Sequence, residues 1–355
     1  MAVVVGWDIG GAHLKAARAE HGRIVAAVQV ASPLRLGLER LAQSFAEAKA
    51  AIGAADRHVI TMTGELADTF ATRADGVASL TAAAVDALAP GEVRVYAGRA
   101  GFVAPAQAAR HVMDIASANW FAPASLVARG RDAALFMDMG STTTDIVLVA
   151  GGAVAAQGYT DAERLACGEL FYTGLVRGFL MAAAARAPFA GGWTSLVNEN
   201  FATMADVHRI LGSLPAGADQ MATADGRAKT ASASRARLAR MVGRDAGDSD
   251  DGAWHALAQW FAESQVRAVT DGAMLVLSRA QLPEAPIIVA GAGSHVLREV
   301  ARRLGRGCVA FEDLLGVAPA ARGAASIGAP AAALAVLAIM EETGVKLPRR
   351  AGAHG

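Results

Sequence analysis

Apolar runs and polar turns alternate along this chain in a pattern that repeats once. Residues 3–7 form an apolar run that ends at Asp8-Ile-Gly10-Gly11-Ala-His13, and a second run follows from Leu14. Residues 135–137 lead in the same way into Asp138-Met-Gly140-Ser141-Thr142-Thr143-Thr144-Asp145, and the β-branched stretch 146–149 leaves it. Short apolar runs bounded by Gly and hydroxyl residues predict strands joined by tight turns. Further strands are expected at 23–30, 58–63, 93–96, near 154–157, at 286–290 and at 307–311. Apolar positions at Leu34, Leu38, Leu41, Phe45 and Ile52 predict an amphipathic helix over 34–52. Other helices are expected at 79–88, over most of 106–127, opening in 165–174, and at 254–277, 296–304 and 324–340. Residues 98–105 read as a loop and 348–355 as a frayed tail. Residues 186–252 are punctuated by Pro and Gly around short helices at 198–211 and 231–242, which suggests an inserted helical cap.

A hairpin of one type opening each half suggests a duplicated α/β fold with a ligand between the halves. The expected lobes are 1–130 and 131–355, the second carrying the insertion at about 186–252. A chain of 355 residues is long enough for two cores. Hydrophobic residues make up 54% and aromatic residues 5%, a globular rather than disordered composition. Lys+Arg 33 balance Asp+Glu 33, so no global field favours nucleic acid or an anionic membrane. Cys167 and Cys308 give neither a disulfide framework nor zinc spacing, and a reducing cytoplasm is the expected home. No signal peptide is expected, because the first residues lack a basic region and a long apolar one. The uncharged stretch 324–340 contains Gly328 and Pro330, and reads as a buried helix rather than a membrane span.

The turns carry the candidate chemistry. Gly10, Gly11 and Gly140 permit close backbone approach, and turn amides with Ser141, Thr142 and Thr143 can surround a phosphate. Asp8 and Asp138 are candidate Mg²⁺ ligands, since Mg²⁺ prefers oxygen donors and keeps several waters. Lys15 either reaches that anion or is a surface charge on the outgoing strand. Glu65 and Asp68 follow the strand at 58–63, where an open α/β sheet holds ligand; each caps a helix or contacts ligand. Gly291-Ala-Gly293 after the strand at 286–290 is a further backbone ligand platform. Cys167 reads as a structural thiol, and the acidic run 245–251 as a loop rather than a calcium site. Lys229, Arg235, Arg237 and Arg240 in the insertion read as solvated charges or as partners for an anion.

Taken in order, these residues resemble the actin-like ATPase superfamily of sugar kinases and heat-shock chaperones. Its first phosphate loop matches Asp8 to Gly11, its second Asp138 to Asp145, its nucleotide-side turn Gly291 to Gly293, and its second connecting helix 325–333. The resemblance implies a duplicated actin-like, ribonuclease H-like fold. Within it the chain is most similar to the hydantoinase/oxoprolinase-related branch, and there to the tetrahydromethanopterin-linked one-carbon transfer pathway proteins. Gly6-Trp-Asp8, Thr63-Gly64-Glu65, Ala118-Asn119-Trp120, 198–207, 222–226 and 241–245 carry that likeness. It implies a condensing synthase of methanofuran or methylofuran biosynthesis, joining an aminomethyl-furan-methyl diphosphate to a phenolic acceptor. On that implication Mg²⁺ is the cofactor, and ATP is admissible without being required. Asp8 and Asp138 hold the metal, and the base comes from Glu65, His13 or Asp145. Gly10, Gly11, Lys15, Gly140, Ser141, Thr142, Thr143, Gly291 and Gly293 bind the ligand. The alternative is an ATP-dependent kinase or amidohydrolase. A homodimer is left open.

Overall fold

The computed structural model describes residues 3–344 and 347. Strands β1 (Val4–Ile9), β2 (His13–Glu20), β3 (Arg23–Ala31), β4 (Arg57–Met62), β5 (Glu92–Tyr96) and β6 (Phe102–Val103) build most of a first sheet, with helices α1 (Leu38–Ile52) and α2 (Arg73–Leu88) between them. Two short helices, α3 (Val112–Ile115) and α4 (Phe121–Gly130), lead to the second half. There β7 (Ala133–Met139), β8 (Thr144–Ala150), β9 (Ala153–Val154), α5 (Asp161–Cys167) and β10 (Leu170–Phe171) follow. The segment 186–252 contains α7 and α8 as well as a two-stranded hairpin. In order, α6 (Leu180–Ala183), β11 (Arg186–Phe189), β12 (Gly192–Ser195), α7 (Met204–Ile210) and α8 (Ala231–Met241) precede the long α9 (Asp251–Leu277). The chain closes with β13 (Ile287–Ala290), α10 (Ser294–Arg303), β14 (Cys308–Ala310), β15 (Gly316–Val317), α11 (Arg322–Ile327) and α12 (Ala329–Thr343).

The two sheets repeat one topology. In the first, β1 pairs antiparallel with β2 on one side and parallel with β4 on the other. In the second, β7 pairs antiparallel with β8 and parallel with β13. The duplicated two-lobed α/β fold of the actin-like ATPases is therefore present. The last residues do not stay with the second sheet: β15 joins β3 at the edge of the first, and α12 lies against β1.

Strand periodicity sets which face each residue serves, because successive side chains point to opposite sides. On β1, Val5, Trp7 and Ile9 pack beneath α1 and α2, while Val4 packs toward α12. On β7, Leu135, Met137 and Met139 pack toward α9 and α10, while Ala134 and Phe136 join Val4 and α12 in a core shared by both lobes. Asp8 and Asp138 continue the inner series of their strands. The same alternation that fills the shared core thus leaves one carboxylate from each lobe at its rim.

Five sequence expectations need correction. The loop expected at 98–105 contains a 3-10 turn (Gly98–Ala100) and strand β6, which pairs antiparallel with β5. The helix expected at 34–52 breaks at Gly37, whose φ of 103° is open to glycine, and α1 begins at Leu38. The stretch 165–174 does not open a helix. It ends α5, with Gly168 as a left-handed cap and β10 beyond. The helical stretch expected over 106–127 is three pieces, a 3-10 turn (Pro105–Arg110), α3 and α4. The closing helix is two helices, and the segment Pro319–Ile327 meets α12 at 109°. Among the described residues no single helix is long and apolar enough to cross a membrane. The bent pair qualifies by length and composition only, and α12 is buried along most of its length. The tail at 348–355 lies outside the described residues.

Candidate functional site

The two hairpins are built to one plan. Asp8 stands opposite Lys15 across β1 and β2, and Asp138 stands opposite Asp145 across β7 and β8. Each turn is closed by the glycine amide two residues past the Asp: Gly10 donates to the His13 carbonyl at 3.0 Å and Gly140 to the Thr143 carbonyl at 2.9 Å. Both turns face a cleft of about 400 Å³ lined by Asp8, Gly10, Gly11, His13, Lys15, Asp138, Gly140, Ser141, Thr142, Thr143 and Asp145. A Cβ on Gly11 would meet no protein atom within 4 Å, so the space it leaves belongs to the cleft.

Charge is concentrated at the floor. Lys15 Nζ lies 3.5 Å from Asp8 Oδ2, so this lysine points into the cleft rather than out to solvent. Asp8 is 2% exposed, and its Oδ1 is buried without a hydrogen-bond partner. Burial pushes the Asp138 carboxyl up to about 7; Lys15 opposes this, and Asp145 and Asp8 add to it. Burial also raises Asp145, although Arg164 donates to its Oδ1 at 2.8 Å. Arg164 is itself buried, stacked 4.0 Å from the Trp120 ring centroid and bonded to the Glu169 carbonyl at 2.9 Å. His13 lines the cleft as a neutral ring: burial, with Lys15 and then Arg177, lowers it to about 4 against the pull of Asp219.

Glu65 occupies a 3-10 turn (Gly64–Leu66) rather than the first turn of α2, is 1% exposed, and does not line the cleft. The backbone of α2 rests on it through Gly76, where a Cβ would come within 2.7 Å of Glu65 Cα. Ser117 connects Glu65 to the cleft wall, its Oγ lying 2.9 Å from Glu65 Oε1 and 3.0 Å from Asp161 Oδ2. Asp68 does line the cleft. Gly291 and Gly293 do not: the space beside them is filled by Asp138 and Met139, and the Gly293 amide donates to the Met139 carbonyl at 2.9 Å. They brace the second turn from behind.

Ser117, Asp161, Arg164, Tyr172, Arg35 and Arg177 also line the cleft and were not singled out by sequence. One signal was available. Thr160-x-x-Glu163 is a capping box, which starts α5 at Asp161 and sets Asp161 and Arg164 in its first turns. Ser117, Tyr172 and the two exposed arginines arrive by tertiary packing and leave no local mark.

Among the described residues no three His, Cys, Asp or Glu side chains converge for a fully protein-ligated metal. A hydrated divalent cation needs less. The orphaned Asp8 Oδ1 and the burial-suppressed ionisation of Asp138 are both features that a cation would relieve.

Sequence comparison adds the relatives. The (4-{4-[2-(gamma-L-glutamylamino)ethyl]phenoxymethyl}furan-2-yl)methanamine synthase of Methanocaldococcus jannaschii is 27% identical over 301 residues, covering 84% of this chain and 88% of the relative. A protein of the same name from Methanococcus vannielii is 32% identical over 111 residues, 31% of this chain and 50% of the relative. Among solved structures, nucleotide-free acetone carboxylase aligns with a TM-score of 0.56 at 10% identity, covering 93% of this chain and 70% of that one. Component A of (R)-2-hydroxyglutaryl-CoA dehydratase from Acidaminococcus fermentans aligns at 0.46 and 12% identity, over 95% and 97%. At such identities the structural likeness concerns the fold alone. The hydantoinase/oxoprolinase family model matches residues 56–335, most of the chain, and this protein belongs to the hydantoinase/oxoprolinase family.

Proposed function

We propose that this enzyme is a transferase of methanofuran or methylofuran biosynthesis. It condenses an aminomethyl-furan-methyl diphosphate with the phenol oxygen of a glutamyl-tyramine or tyrosine-type acceptor and releases diphosphate. The observation that carries the reading is the pair of matched acidic turns facing one cleft, with Lys15 paired to Asp8 and its charge also acting on Asp138. The name of the Methanocaldococcus jannaschii relative supports it, since it describes a phenoxymethyl-furan product.

The chemistry suits such a cleft. The furan ring stabilises positive charge on its methylene carbon, so the bond to diphosphate breaks once the leaving charge is neutralised. The phenol oxygen then forms the new C–O bond and gives up its proton. The Gly11 amide, the hydroxyls of Ser141, Thr142 and Thr143, and the Lys15 ammonium surround the leaving group, while Gly10 and Gly140, their own amides closing the turns, let the backbone come close to it. Preorganised donors of this kind supply a large share of catalysis where charge develops. Mg²⁺ bound by Asp8 and Asp138 would neutralise diphosphate charge as a Lewis acid. His13, low in basicity, serves better as a neutral hydrogen-bonding group than as the proton acceptor.

The test is a reaction of purified protein with the furan diphosphate and a phenol acceptor, with and without ATP. Ether and diphosphate are expected without ATP. Turnover only with ATP, or ADP accumulating with product, overturns the reading in favour of an ATP-dependent kinase or amidohydrolase. Asp138→Ala is expected to abolish turnover while the protein stays folded.

A further inference from the structure

The cleft has a second pole that the diphosphate cradle does not use. Ser117, Asp161 and Tyr172 line it, and Glu65 lies sealed behind Ser117. Three features mark this pole as more than a packed corner. Ser117 is held at φ 54°, a left-handed conformation that a non-glycine residue seldom adopts and that clusters at functional sites. Its hydroxyl has one proton and two carboxylate oxygens at 2.9 and 3.0 Å, so it can donate to Glu65 or to Asp161 but not to both. Glu65 is 1% exposed, and its second oxygen, Oε2, is buried with no side-chain partner, its own backbone amide being the other group that acts on the carboxylate. A buried carboxylate kept half-satisfied is costly unless it serves the chemistry.

The geometry points to a proton relay in which Ser117 takes the acceptor's phenolic proton from the cleft and passes its own to Glu65. This inference rests on the transferase reading. The phenol O–H bond breaks as a Ser117 O–H bond forms, and the original Ser117 proton moves to Glu65 Oε1. The freed phenol lone pair closes on the methylene carbon once the bond to diphosphate has broken. Ser117 touches the substrate, and Glu65, which does not reach the cleft, acts through it.

Burial is the main influence on Glu65 and raises it to about 7, against its hydrogen bond from Ser117; Asp161 raises it further, Arg73 lowers it, and Tyr172 feels its charge in return. A base of that strength is matched to neutral pH, whereas an ordinary carboxylate is too weak for a phenol with a pKa of about 10. Arg73 reaches Asp161 Oδ2 at 3.4 Å and holds that carboxylate beside Ser117.

Ser117→Gly removes the hydroxyl at a position whose φ suits glycine, and Glu65→Gln keeps a hydrogen-bonding amide without a base. Ether formation is followed against pH with two acceptors: an ordinary phenol, and one bearing an electron-withdrawing group that is already ionised at neutral pH. The wild-type rate with the ordinary phenol is expected to rise through about pH 7. In both variants it falls about 100-fold at neutral pH, and the rise moves toward the ionisation of the phenol. The ionised acceptor, with no proton to lose, is expected to restore both variants to near wild-type turnover. A loss that is equal for the two acceptors, or a profile unchanged by either variant, overturns the relay and leaves the transferase reading standing. Wild-type protein that forms no ether with either acceptor overturns both.

Discussion

At the scale of single residues, burial decides which groups are titratable in the working range and which are locked. His58 is the clearest locked case. Trp7 Nε1 donates to its Nδ1 at 3.2 Å, so that nitrogen carries no proton and the ring is neutral. Burial is the main cause that lowers His58 to about 4; Lys49 adds to it and Asp56 opposes it. The unfolded chain binds this proton near 6.5 and the folded chain only near 4, so stability falls as pH drops through that window. His58→Leu is expected to lower stability at pH 7 by about 1–3 kcal/mol, because the Trp7 N–H loses its buried acceptor. The same variant is expected to lose less stability between pH 6.5 and 4 than the wild type does. Urea unfolding across that range checks both, and an unchanged slope with pH contradicts the locked ring. Cys167 fits the sequence reading of a structural thiol: burial raises it away from reactivity, with Glu169 adding to the effect.

At the scale of elements, the site depends on how closely helices approach strand backbones. Helix α12 crosses β1 at Gly6, where a Cβ would run into the Ala331 carbonyl oxygen and lie 2.9 Å from the Ala335 nitrogen. Both are backbone atoms and cannot rotate away, so Gly6→Ala must shift the helix or the strand. A loss of about 1–3 kcal/mol is expected. Activity should fall too, because Asp8 sits two residues along the same strand; denaturant unfolding beside an activity assay reads both. Helix α5 offers a gentler case. Its Thr160 hydroxyl accepts from the Glu163 amide, and Thr160→Ala should cost about 1 kcal/mol. Because α5 carries Asp161 and Arg164, that loss should come with a larger drop in turnover than its stability effect suggests. The helix errors made from sequence have physical causes at this same scale. An apolar stretch such as 324–340 reads as continuous, since the turn at Gly328 is made by packing both pieces against different neighbours. The stretch 165–174 misled because the left-handed glycine that ends α5, Gly168, lies inside it, and its φ is set by the turn rather than by the apolar pattern.

At the scale of the whole molecule, the duplication was legible because it is local: each hairpin announces itself within a dozen residues. The closure of the chain was not, because the pairing of β15 with β3 and the seating of α12 on β1 join residues about three hundred positions apart. Those contacts tie the lobes into one core beneath the cleft. The insertion also reaches across, with Gln220 Nε2 donating to the Gln29 carbonyl at 3.3 Å. A ligand held by both turns would therefore bind the folded chain and have no comparable site once the lobes separate. Linkage then makes a specific demand. Diphosphate with Mg²⁺, at a hundred times its dissociation constant, should raise unfolding stability by about 2.7 kcal/mol. Lys15→Met removes the cation paired with Asp8 and should shrink that increment while leaving the fold intact, because the Lys15 ammonium holds Asp8 through a partly buried ion pair at 3.5 Å rather than through a network. Thermal unfolding of both proteins at one pH, with Mg²⁺ alone, diphosphate alone and the two together, separates the contributions. A stabilisation that needs both ligands and weakens in Lys15→Met places diphosphate between the turns. No shift in the wild type under any of the three conditions removes the physical basis for a diphosphate cradle, whatever the ancestry of the chain.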